Sequence, residues 1–168
     1  MSHSPAEILA EYLTDQAIFS ATLTDDWAIF ISHLPESPSR AAVVYDTQGF
    51  LDGRYMDDGT VIEHQGVSLM VRGKDSDYAL AQKKLDDAVT VIEQIKNVTV
   101  VIDGSSYIID AVSKIAGSGS LGVPDSQRRP QWSTNHTLSI TFTVALKYLE
   151  LEHGGALLLE DGLALLLE

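Results

Sequence analysis

The sequence contains no cysteine among its 168 residues. Disulfide bonds, zinc–thiolate sites, iron–sulfur clusters and thiol nucleophiles are therefore excluded, and a hydrophobic core has to hold the fold together. Long apolar runs are missing too, because no stretch approaches the roughly 20 apolar residues that span a bilayer. The amino terminus also lacks the basic and apolar segments of a signal peptide. We therefore expect a soluble protein made in the cytoplasm.

Basic residues are scarce, with 11 Lys and Arg against 24 Asp and Glu, for a formal charge of −13. A surface of this sign repels phosphate backbones, so tight nucleic-acid binding is disfavoured, although the same charge also serves solubility alone. Hydrophobic residues at 45% and charged residues at 21% are the proportions of an ordinary globular protein. The length fits one domain.

Motifs for catalysis or cofactor binding are also missing. Residues 117–122 have the glycine spacing of a dinucleotide-binding turn, but Val123 and Pro124 follow where a helix would have to begin. No G-x-S-x-G sequence exposes a serine nucleophile, and the five histidines do not have the spacing of a metal site. We therefore predict a protein that is not an enzyme, with no catalytic residues, no cofactor and no metal ion.

An acidic stretch with Asp52, Asp57, Asp58 and His64 could in principle bind a hard cation, because carboxylates beside glycine turns are how calcium loops begin. The spacing fits no EF-hand pattern. Aspartate before glycine is ordinary turn chemistry, so we interpret these residues as turn formers.

Two helices are predicted from apolar periodicity and capping residues. Ser4, Pro5 and Glu7 supply an N-cap, a first-turn proline and a capping-box glutamate, so one helix begins there. Apolar residues recur at spacings of three and four through residues 78–95, which predicts a second helix lying flat on a sheet. Asp75 or Ser76 is the expected N-cap of that helix.

Strands are predicted wherever β-branched and aromatic residues are concentrated or alternate with polar ones, at residues 27–34, 41–45, 67–71, 98–102, 107–112 and 138–148. Residues 46–66, with their Asp-Gly pairs, are predicted as short strands and loops or a hairpin. Residues 117–132 lack periodicity and are predicted as a long loop. The fold class is therefore α+β, a mixed and mainly antiparallel sheet packed by two helices, with long loops.

A leucine-rich segment with a near-repeat around Asp161 and Gly162 ends the chain. We predict a hairpin extension over residues 150–168, beside one α+β domain over residues 1–149. A lone two-stranded hairpin is marginal in water, so its leucines need a surface to cover.

The densest basic spot is Arg128 and Arg129, with Trp132 close behind. It is either a solvated loop or a clamp that holds a carboxylate surface of another subunit, since arginine and aromatic side chains are favoured at interfaces. Asp52, Arg54 and Tyr55 in residues 46–66 are the other candidate interface residues.

The order of these elements looks like the tail-terminator and minor capsid families of long-tailed bacteriophages, proteins that join head and tail. The resemblance covers residues 4–149 and rests on residues 27–35, on residues 67–73 leading into 78–95, and on residues 117–142. The leucine, glutamate, aspartate and glycine repeat at the end is similar to tails of phage structural proteins.

That resemblance implies a hexameric ring that caps the tail tube, ends its polymerisation and provides the surface for head attachment. Its partners would be further copies of the chain, the tail tube protein and a head-completion or connector protein. Genomic DNA would pass through the lumen without specific binding. The protein would be assembled in the host cytoplasm, without a membrane, and would lie at the head-proximal end of the virion tail.

Two alternatives stay open. One is another head–tail connector or tail-completion subunit, which only its binding partner would separate from a terminator. The other is a small-ligand-binding α+β domain, which would need polar groups converging in a pocket.

Overall fold

The structure is a computed structural model that describes residues 3–23, 26–54, 61–123 and 127–143, together with strand residues 157–158 and 164–165. The elements in chain order are α1 (Pro5–Asp15), β1 (Ala28–Ile31), β2 (Ala41–Arg54), β3 (Val61–Arg72), α2 (Tyr78–Glu93), β4 (Lys96–Ile102), β5 (Ser105–Gly122), β6 (Gln131–Thr143), β7 (Leu157–Leu158) and β8 (Ala164–Leu165).

Six strands form one sheet in the order β1-β2-β3-β6-β5-β4. The β1–β2 pair is parallel and the other pairs are antiparallel. Helix α1 contacts β1, β2, β3 and β4, whereas α2 contacts β3, β6 and β5. Because β1 and β4 are opposite ends of the sheet and both contact α1, the sheet curls around that helix. The predicted fold class is confirmed.

Strands β7 and β8 pair antiparallel, with Leu157 opposite Leu165 and Leu158 opposite Ala164. This pairing is that of the predicted C-terminal hairpin. The division into a domain at residues 1–149 and an extension at residues 150–168 stays a prediction.

The start of α1 follows the predicted capping box. Glu7 N donates to Ser4 Oγ at 3.3 Å, and Ser4 N donates to Glu7 Oε2 at 2.7 Å, so two amide groups without helical partners are satisfied. The predicted apolar face is buried, with Leu9 and Leu13 fully inaccessible. Residues within α1 and directly before it therefore determine where this helix begins and which face it buries.

The predicted N-cap of α2 was wrong. The N-cap is Asp77, and its side chain makes no capping hydrogen bond. Instead, Asp77 Oδ2 accepts from Arg40 Nε at 2.7 Å. The bond to Arg40 joins two full charges, whereas a cap would join the carboxylate to neutral amides, so the carboxylate is drawn away from the helix amides. The predicted apolar face of the helix, including Leu85 and Ile92, is buried.

Residues 46–66 form a longer hairpin than the predicted short strands and loops. Strand β2 continues to Arg54, and β3 already begins at Val61. Gly49 and Gly66 stand within these strands, where the backbones approach closely, rather than in turns. Register shifts between Thr47 and Phe50 interrupt the alternation that would have revealed the strands.

The loop predicted at residues 117–132 was also partly wrong. Strand β5 continues through Gly122, and β6 begins at Gln131 rather than at residue 138. Register shifts between Lys114 and Ala116 and between Ala116 and Gly119 remove the period of two from the sequence. The part of the predicted last strand beyond residue 143 lies outside the described residues.

Close approach of the hairpin strands predicts a strong effect of a methyl group at Gly49. A Cβ atom there would collide with the backbone carbonyl oxygen of His64, and backbone cannot move aside as a side chain can. Gly49→Ala is therefore expected to lower the free energy of unfolding by about 2 kcal/mol, measured by urea denaturation.

Gly117→Ala is the matched control, because a Cβ atom at Gly117 meets nothing within 4 Å. That variant is expected to unfold at the wild-type urea concentration or slightly above it. Equal losses for the two variants would show that the contact with His64 does not restrain the hairpin.

Candidate functional site

Two buried arginines hold the loop between β1 and β2 against the sheet. Arg72 donates through Nη2 to Pro38 O at 2.7 Å and through Nε to Ser39 O at 3.2 Å. Arg129, only 5% exposed, donates through Nη1 to Glu36 O at 2.6 Å. Hydrogen bonds from ionised donors are the strong ones. The loop is therefore fixed by one arginine at the end of β3 and by another just before β6.

The residues after Arg129 continue this packing. Pro130 O accepts from Gly73 N at 2.9 Å, and the buried Trp132 lies 4.9 Å from the ring of Tyr78 at the start of α2. Of the three residues predicted here as an interface, Arg129 and Trp132 are thus buried within their own protomer, and Arg128 is exposed. The interface role stays a prediction, and Arg128 is the residue available for it.

The neighbouring charges are paired around Arg40. Its guanidinium bonds to Asp77 Oδ2 at 2.7 Å and to Asp26 Oδ2 at 2.8 Å. The bonds to Asp77 and then Asp26 raise the pKa of Arg40, and the same guanidinium lowers the pKa of the Asp77 carboxyl. These charged groups therefore pair with one another and hold this end of the sheet together.

A shallow cavity of about 300 Å³ lies between α1, β1 and β4. Several of the polar groups at its wall already have structural partners. His3 Nδ1 lies 2.8 Å from Tyr107 Oη, and Glu7 closes the capping box of α1. These bonds leave few of the convergent free polar groups that a small-ligand site needs.

Of the acidic stretch with Asp52, Asp57, Asp58 and His64, the structure describes Asp52 and His64, and Asp57 and Asp58 lie outside the described residues. His64 lies between two partners, with Nε2 3.3 Å from Asp52 Oδ2 and Nδ1 2.8 Å from Ser139 Oγ. Within the described ranges, no group of His, Asp and Glu is arranged to hold a metal ion. Asp52 and His64 therefore form a contact that ties the hairpin to β6.

Two stretches of strand have no partner strand on one side among the described residues. Strand β1 pairs with β2 only over Ala41 to Val44, which leaves residues 45–54 open, here called the β2 edge. Strand β4 pairs with β5 only up to Ala111, which leaves residues 112–122 open, here called the β5 edge. Sequence reading did not find either edge, because both stretches were predicted largely as loop.

Large apolar side chains are exposed on both edges. Phe50 and Leu51 lie on the β2 edge, with Leu51 68% exposed. Ile115 and Leu121 lie on the β5 edge, with Leu121 51% exposed. Open strand edges with exposed apolar residues are where proteins pair with other chains.

The β2 edge is held in place by contacts to the rest of the protein. The ring of Phe50 lies 4.7 Å from that of His64, which bonds to Ser139 on β6. Asp46 Oδ1 accepts from Ala6 N at 2.8 Å, at the start of α1. Of the other predicted interface residues, Asp52 and Arg54 are exposed on this edge, and Tyr55 lies outside the described residues.

The two edges differ in charge. Residues 45–63, which include the β2 edge, contain five carboxylates, at Asp46, Asp52, Asp57, Asp58 and Glu63, against one basic residue, Arg54. Residues 112–122 contain no carboxylate, and their one charged residue is Lys114, which pairs with Glu93 on α2 at 3.2 Å. The β5 edge therefore carries no negative charge of its own, although the chain as a whole has a formal charge of −13.

No helix in the described part of the chain has both the length and the apolar character needed to cross a membrane.

A family model matches the chain. The model of a family described as bacteriophage tail terminator protein matches residues 12–142, which is well over half of the chain and includes both open edges. No curated protein sequence matches the chain.

Proposed function

Because the chain belongs to the bacteriophage tail terminator family, we propose that it forms a ring that caps the tail tube, ends tube polymerisation and provides the head-attachment surface. The family is a structural one, so the protein is a component of the phage virion with a role in tail completion and contacts to other tail and head proteins. Our proposal adds the ring, its place at the head-proximal end of the tail, and the absence of catalysis.

The observation that carries the proposal is the presence of two different open edges on opposite sides of one sheet. Different surfaces that meet head to tail generate a closed ring when the rotation between copies closes, and a filament when it does not. A closed ring leaves no free edge and therefore has a fixed number of copies, as a cap on the end of a tube requires.

The charge of the chain suits a passage for DNA. A ring of copies that each carry a formal charge of −13 repels phosphate groups, which favours sliding of genomic DNA through the lumen over specific binding. The proposed partners are therefore other copies in a hexamer, the tail tube protein, and a head-completion or connector protein. A connector or tail-completion subunit would share the ring and differ in its partner.

Light scattering and negative-stain imaging of the purified protein, with and without tail tube protein, test this proposal. We expect particles with the mass of about six chains, attached to tube ends, and tubes that stop lengthening once the protein is added. An acidic protein of similar size and charge serves as the control for nonspecific binding. A strict monomer that leaves tube growth unchanged would contradict the proposal.

A further inference from the structure

We propose that the β2 edge of one copy pairs with the β5 edge of the next copy, so that the sheet continues from subunit to subunit. This inference rests on the proposed ring and names the surfaces that would build it. It assigns a role to apolar side chains that a single protomer leaves exposed.

The lengths and directions of the two edges match. The β2 edge spans residues 45–54 and the β5 edge spans residues 112–122. Strands β2, β3, β6 and β5 alternate in direction, so β2 and β5 run in opposite directions. Neighbours placed side by side in the same orientation would therefore present an antiparallel pair, the type that already dominates this sheet.

Pairing would also satisfy backbone N–H and C=O groups that have no partner strand among the described residues. A strand edge presents unpaired N–H and C=O groups that can template another strand. Leu51 and Phe50 on one edge and Ile115 and Leu121 on the other would lose contact with water in the same step. Hydrogen bonds and apolar burial therefore favour the same contact.

Irregularities make the pairing selective. The β2 edge has register shifts between Thr47 and Phe50 and between Leu51 and Arg54. The β5 edge has register shifts around Ala116. Bulges bend a strand and prevent indiscriminate pairing, so each edge accepts only a partner of matching shape.

Charge favours pairing between unlike edges over pairing between like ones. Two β2 edges brought together would place Asp52 of both copies in one interface, and like charges opposite each other are destabilising. The β5 edge has no carboxylate of its own, and its one charged residue, Lys114, already pairs with Glu93 on α2, so Asp52 meets no like charge on that strand. The contact is therefore head to tail, as a ring requires.

The test uses one charge substitution on each edge. Leu51→Asp disables the β2 edge and leaves the β5 edge intact, whereas Leu121→Asp does the reverse. Both leucines are more than half exposed, at 68% and 51%, so folding should be kept, which circular dichroism and urea denaturation check. Each variant alone is expected to self-associate at least about tenfold more weakly than the wild type and to sediment as a monomer.

Mixing the two variants gives the decisive result. Each mixed pair has one intact β2 edge and one intact β5 edge, so an equimolar mixture is expected to give dimers and no rings. Leu80→Asp is the matched control, since Leu80 is 43% exposed on α2, and it is expected to form wild-type rings.

Three outcomes would overturn the inference. Wild-type rings together with rings of Leu51→Asp or Leu121→Asp would reject edge pairing and leave the ring proposal standing. A mixture that stays monomeric would reject the pairing of these two edges with each other. A wild type that neither self-associates nor blocks tube growth would remove the proposed function itself, and the inference with it.

Discussion

Arg129→Ala is expected to lower the free energy of unfolding by about 3 kcal/mol, whereas Arg128→Ala beside it is expected to change it by less than about 0.5 kcal/mol. The two residues are the same type and adjacent in the chain. Arg129 is buried and donates to the carbonyl oxygen of Glu36, but Arg128 is exposed. Loss of the buried side chain leaves a polar group without its partner and opens a void, and loss of the exposed one does neither.

Urea denaturation of the two variants and the wild type measures this difference. Arg129→Lys is expected to recover little, because a lysine lacks the planar fork of donors that fits a fixed carbonyl. If Arg128→Ala and Arg129→Ala prove equally stable, the loop between β1 and β2 is not held by Arg129. Self-association of Arg128→Ala also tests the interface role that remains proposed for that residue.

A second large effect is expected from pH, through His136. This residue is fully buried on β6, and its pKa is lowered to about 4, first by burial, then by the charge of Lys114, with Glu93 acting in the opposite direction. The folded protein therefore prefers neutral His136, while the unfolded chain takes up a proton near pH 6.5. Stability from this residue is complete above pH 6.5 and is lost as the pH falls toward 4.

This difference in pKa corresponds to about 3 kcal/mol in total, of which about 2 kcal/mol should be lost between pH 7.5 and 5. Urea denaturation across that range measures it, because most exposed carboxylates stay ionised there. His136→Leu is expected to be less sensitive to pH, since nothing titrates at that position. His33→Gln is the control, because His33 is exposed, and it should keep the wild-type dependence. An unchanged pH dependence in His136→Leu would assign the effect to other groups.

The sequence predicted those elements whose determinants are local. The capping box of α1 and the apolar face of α2 each depend on residues within a few positions of one another, and both were confirmed. The cap of α2 was not predictable in this way. Asp77 bonds to Arg40, a residue distant in the chain, and only the tertiary fold brings the two together.

The open edges escaped prediction for a different reason. Alternation identifies a strand only while its register is regular, and both residues 45–54 and residues 112–122 contain bulges. Glycines such as Gly49 then suggested turns where the strands instead approach closely. Similarly, nothing in the sequence separates Arg128 from Arg129, because their difference in burial depends on how β6 begins beside β3.

The two open edges also lie at different positions along the strand direction. This offset determines how neighbouring copies would be placed in a ring. Ala116, near the middle of the β5 edge, is level with Asn135, Ser68 and Tyr45 across the sheet. The middle of the β2 edge lies near Phe50, which is level with His64, about four residues or roughly 13 Å further along when measured on β3. Each copy would therefore be displaced along the strands relative to its neighbour. The ring closes in a plane only if the strands are tilted relative to the ring axis, as the strands of a β-barrel are tilted relative to the barrel axis.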